Sequence, residues 1–60
     1  MFNIGDRVVA FGVEGVVVAS TPYNVMCEFI DKQGVKEFCV FTVDGRLFEW
    51  ASLPSLEKVE

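Results

Sequence analysis

Nucleophiles, bases and metal ligands are scarce in this chain. It has no histidine and two cysteines, Cys27 and Cys39. Without histidine the commonest general base is missing, and so are the Ser-His and Cys-His nucleophile arrangements. Two thiolates cannot by themselves complete a tetrahedral zinc site. The carboxylates Asp6, Glu14, Glu28, Asp31, Glu37, Asp44 and Glu49 form neither a calcium-loop spacing nor a recognisable acid-base pair, and a solvated surface accounts for them. Gly12 and Gly15 invite a phosphate-loop reading but lack the following helix and the Lys-Ser/Thr pair such loops use. No catalytic residue, cofactor or metal is assigned, and the chain reads as a non-enzyme.

Binding chemistry remains. Five Lys and Arg stand against nine Asp and Glu, a formal net charge of −4. The cations Arg7, Lys32, Lys36, Arg46 and Lys58 are scattered and several are flanked by acids, the opposite of the clustered basic surface that phosphate-led nucleic-acid binding draws on. Asp44-Gly45-Arg46 combines turn chemistry with one exposed cation, and Arg46 is its candidate contact residue. The aromatics Phe2, Phe11, Tyr23, Phe29, Phe38, Phe41, Phe48 and Trp50 suit core packing, or else a cage for a cation or a stacking surface for bases. Cys27 and Cys39 read as two small core residues kept as thiols in a reducing compartment, the alternative being a cross-strand disulfide.

The elements that would position these groups are short strands. Sixty residues support one core and a single domain over residues 1–60. Valine and phenylalanine recur between glycines, without a helical period of useful length. Strands are expected over Asp6 to Phe11, Val16 to Ala19, Val25 to Ile30 and Val35 to Thr42, with Leu56 to Val59 as a short last strand. Turns are expected at Gly12-Val13-Glu14-Gly15 and Thr21-Pro22-Tyr23-Asn24. Asp31-Lys32-Gln33-Gly34 predicts a type I turn with a Gly bulge, which pairs Ile30 with Lys36, Glu28 with Phe38, Cys27 with Cys39 and Met26 with Val40. Asp44-Gly45 predicts a two-residue type I′ turn that sets Leu47 opposite Thr42, Phe48 opposite Phe41 and Trp50 opposite Cys39.

Alternation then sorts the meander into two faces. One, the expected core, holds Val25, Cys27, Phe29, Cys39, Phe41, Phe48 and Trp50, with Glu37 as its one charge near the hairpin tip. The other holds Met26, Glu28, Ile30, Lys36, Phe38, Val40, Thr42, Leu47 and Glu49. Half of that outer face is apolar, and a contiguous exposed apolar patch usually marks an interface. Pro54 leaves room for a single 3₁₀ turn over residues 51–56, and five strands in so short a chain suit a small curled barrel that hides its edges.

The chain opens without the basic and apolar regions of a secretory signal, and no uncharged run reaches the roughly 20 residues that span a bilayer, so a cytoplasmic location is expected. Phe2-Asn3-Ile4-Gly5-Asp6-Arg7-Val8, Gly15-Val16-Val17, Tyr23 to Phe29, Phe41-Thr42-Val43-Asp44-Gly45-Arg46 and Leu53-Pro54-Ser55-Leu56 together resemble small, mostly uncharacterised phage and prophage proteins. The resemblance covers nearly the whole chain and implies an all-β, five-stranded SH3-like or Tudor-like barrel, with no established activity attached. The expected function is protein-protein contact, with self or with a host or phage protein, through Met26, Ile30, Phe38, Val40 and Leu47, helped by Glu28 and Arg46. The opening Gly-Asp-Arg-Val is also found in Tudor-like modules of some bacterial helicases and in CarD-type modules that touch RNA polymerase. That similarity implies the alternative, a nucleic-acid-associated module acting on transcription or repair machinery.

Overall fold

A computed structural model describes residues 2–47 and 56–59. The protein is all-β, with five strands among the described residues: β1 (Arg7–Ala10), β2 (Val13–Ser20), β3 (Asn24–Ile30), β4 (Lys36–Thr42) and β5 (Leu56–Lys58). All pairings are antiparallel and form one sheet in the order β4-β3-β2-β1-β5. Among the described residues no ladder joins β4 to β5, so the sheet is not closed. One main-chain bond spans its two ends, the Leu56 N–H donating to the Gly45 carbonyl at 2.9 Å. The 3₁₀ turn expected over residues 51–56, and the positions of Phe48, Glu49 and Trp50, lie outside the described residues apart from Leu56, which opens β5.

The β3–β4 register is the expected one at every pair, from Ile30 opposite Lys36 to Met26 opposite Val40. Asp31 sets it. Its carbonyl accepts from the Gly34 N–H and its main-chain N–H donates to the Val35 carbonyl, both at 3.0 Å. Its side-chain Oδ1 accepts from the N–H groups of Gln33 and Val35, each at 2.9 Å. Gly34 takes the left-handed conformation, φ 82°, that a type I turn with a Gly bulge needs.

Two expected turns differ. The first is shorter than Gly12-Val13-Glu14-Gly15. Ala10 pairs with Val13, so the turn is Phe11-Gly12 alone, with φ of 55° and 76°. Positive φ at both central residues is the type I′ signature. Val13, Glu14 and Gly15 belong to β2, and Phe11 leaves β1 for the turn. Gly15 has a different reason to be glycine. The ring of its cross-strand partner Phe29 lies over it, and a Cβ on Gly15 would sit 2.5 Å from Phe29 Cδ1 and closer still to the Glu28 carbonyl oxygen.

The second difference is at Asp44-Gly45. Among the described residues Phe11 is the one non-glycine with positive φ, so Asp44 cannot occupy a type I′ position. Instead Gly45 N–H donates to the Thr42 carbonyl at 2.9 Å and Thr42 N–H to the Arg46 carbonyl at 2.7 Å, with Gly45 at φ 87°. This repeats the Asp31 turn. Thr42 therefore faces Arg46 rather than Leu47, a shift of one residue, and one residue exchanges faces.

The core is Val8, Ala10, Val17, Val25, Cys27, Phe29, Phe41 and Leu56, with Phe2, Val13, Cys39 and Leu47 packed against it. Phe29 and Phe41 meet edge to face, centroids 6.2 Å apart. A bulge between Val17 and Ala19 bends β2 about this core.

Candidate functional site

The face of β3 and β4 turned away from the core carries the candidate site. Met26 lies opposite Val40, Glu28 opposite Phe38 and Ile30 opposite Lys36. Val25, Cys27, Phe29 and Phe41 point the other way and are buried, so alternation forces these residues outward. Ile30, Phe38 and Val40 are 54%, 58% and 47% exposed, and Met26 is exposed at 37%. Cross-strand and diagonal neighbours in a sheet are within side-chain reach, which makes the four a contiguous patch. Glu28 and Lys36 cross it with a 3.5 Å ion pair, Glu28 being half-buried.

Two expected contact residues are placed differently. Leu47 packs against the core, because the one-residue shift at the Thr42–Arg46 turn sends it to the side of Phe41. Arg46 is half-buried and folds back on its own turn, its Nε donating to the Asp44 carboxylate oxygens at 3.1 and 3.0 Å. Asp44 also accepts a short bond from the Thr42 hydroxyl, which in turn accepts from the Arg46 N–H at 3.0 Å. The Thr42 hydroxyl first, and then Arg46, hold the Asp44 carboxyl below the usual carboxylate range.

Cys27 and Cys39 face each other across β3 and β4 as free thiols, Cys27 buried and Cys39 half-buried. Burial, and then the neighbouring Cys39, push the Cys27 thiol up to about 11, so Cys27 is a poor nucleophile near neutral pH.

The other ionic contacts stitch the sheet. Arg7 meets Glu14 at 2.9 Å and Lys58 meets Asp6 at 3.2 Å. The Asn3 N–H, and then Lys58, lower the Asp6 carboxyl below its usual range. Four of the five cations, Arg7, Lys36, Arg46 and Lys58, thus sit against carboxylates.

Several grooves flank the sheet among the described residues. One of about 460 Å³ lies beside the β2–β3 turn, lined by Phe2, Ser20, Thr21, Pro22, Val25, Val43 and Asp44. A smaller one, about 180 Å³, lies at the opposite end between the Phe11-Gly12 turn and the β3–β4 hairpin. Sequence reasoning missed Phe11 as a surface residue; it is 67% exposed. The available signal was an aromatic-Gly pair directly after an apolar run, where Asn-Gly or Asp-Gly is the usual hairpin turn.

Comparison with protein-family models, with curated proteins and with solved structures returns no match. Among the described residues no helix is long and apolar enough to cross a membrane.

Proposed function

We propose that the protein is a small SH3-like barrel module of phage or prophage type that works by protein-protein contact and carries no catalytic activity. The observation that carries this reading is the outer face of β3 and β4, where Met26, Ile30, Phe38 and Val40 stand exposed beside one another. Leaving such side chains in water forgoes about 25 cal/mol for each Å² of apolar surface, which an interface recovers. The barrel reading is supported by the meander of β1 to β4 with β5 returning to pair with β1, the bulge that bends β2 and the Leu56-to-Gly45 bond between the ends of the sheet order. The pairing of Arg7, Lys36, Arg46 and Lys58 with acids favours a protein partner over a phosphate backbone.

The test is Phe38→Glu, followed by circular dichroism, sedimentation velocity and capture of partners from host lysate. The variant is expected to keep the wild-type spectrum, because Phe38 is more exposed than buried, and to lose self-association or capture at least about 30-fold, the size of a central interface residue. Unfolding of the variant would assign Phe38 to the core and overturn the reading. Undiminished association by a folded variant would overturn it equally.

A further inference from the structure

The groove between the two hairpins at one end of the sheet is independent of the outer face. Ala10, Val13, Phe29 and Cys39 make it apolar, Asp31 and Glu37 put two carboxylates on it, and Phe11 stands at its edge. Among the described residues no cation lines it, Lys32 belonging to the neighbouring depression with Glu14 and Gln33. Glu37 is the charge that breaks the apolar face of β4. It lies opposite the buried Phe29 on the core side of the sheet and, among the described residues, makes no ion pair. An exposed aromatic and an unpaired carboxylate around an apolar floor complement a long side chain ending in a delocalised cation. At about 180 Å³ the groove is below the roughly 300–1,000 Å³ of small-molecule sites, which matches one side chain rather than a ring system.

We propose that this groove seats an arginine side chain from a basic peptide segment of a partner protein. The aliphatic stem lies over Val13 and Phe29, the guanidinium bonds to the Glu37 carboxylate, and its flat face stacks on Phe11. Arginine is favoured over lysine because its planar fork meets a carboxylate in two places and stacks on aromatic faces. The net charge of −4 draws such a segment in from a distance.

The test titrates the full chain with N-acetyl-arginine methylamide and with its uncharged isostere, N-acetyl-citrulline methylamide, following backbone amides by NMR. The arginine probe should shift Phe11, Gly12, Asp31 and Glu37 saturably, and the citrulline probe should bind at least about threefold more weakly, the size of an exposed ion pair. Glu37→Gln should reduce arginine binding to the citrulline level. Phe11→Asn, which keeps a sequence suited to the turn, should weaken both probes. Equal binding of the two probes, shifts spread over Asp6, Asp44 and Glu57 as strongly as over the groove, or no saturable shift would each overturn the proposal.

Discussion

Gly15→Ala tests the packing on which both faces depend. One methyl group there would lie 2.5 Å from Cδ1 and 2.8 Å from Cε1 of Phe29, and closer still to the Glu28 carbonyl oxygen. Carbon-to-oxygen contacts settle at about 3.3 Å or more, so β2 and β3 must separate locally by most of an ångström. A main-chain bond near 2.9 Å stretched by that amount ceases to be one, and two flanking bonds lost at about 1 kcal/mol each give about 2 kcal/mol. Displacing the Phe29 ring adds about 1–3 kcal/mol. Alanine restricts the unfolded chain and returns about 0.5–1 kcal/mol. The net loss is about 2–4 kcal/mol, against a total of about 3–9 kcal/mol for a chain of this length. With a urea slope of about 1 kcal/mol/M, the midpoint followed by far-ultraviolet circular dichroism should fall by about 2 M or more. Adding Phe29→Leu should not restore it, since the nearest obstacle is the Glu28 main chain. Gly34→Ala, at φ 82° with nothing within 4 Å, should cost about 1–2 kcal/mol, from backbone conformation alone. A Gly15→Ala midpoint within about 0.5 M of wild type would refute the close approach of β2 and β3.

Two further outcomes follow from the thiols and the turn carboxylates. In the native protein at pH 8, iodoacetamide should add one label, to the half-buried Cys39, and a second only in denaturant, because Cys27 is buried and its thiol is held up to about 11; native labelling of Cys27 at the rate of Cys39 contradicts its burial. Asp6 and Asp44 both have lowered folded pKa values. Their contribution is therefore full above the unfolded value and is lost as pH falls below it through the folded values. Urea midpoints should decline below about pH 4, the ordinary aspartate value, and the Asp6→Asn/Asp44→Asn variant should flatten that decline; an unchanged acid limb refutes the assignment.

The β3–β4 hairpin was legible in the sequence because everything that sets it is local. Asp31 and Gly34 specify one turn, the turn sets one register, and alternation then places Met26, Phe38 and Val40 on the other face of the sheet from Cys27, Phe29 and Phe41. At Asp44-Gly45 the same kind of reasoning chose a two-residue turn. The Thr42 hydroxyl, which accepts from Arg46 N–H and binds Asp44, favours the longer one, and this side-chain competition moved Leu47 from the outer face to the core. At Gly12 to Gly15 the two glycines look alike in the sequence. One serves the turn and the other serves a contact with Phe29 from the next strand.

The sequence by itself determined the strand class, the acidic balance and the outward apolar stripe, since each depends on residue type, spacing within a strand or one tight turn. The tertiary structure decided what depends on neighbours distant in the chain. β5 returns to pair with β1, placing Leu56 opposite Ala10. The Phe29 ring finds space over Gly15. Phe11 and Glu37, far apart in sequence, come to line one groove. Such arrangements are set by how strands stack beside one another, and that packing is a property of the whole sheet rather than of any segment within it.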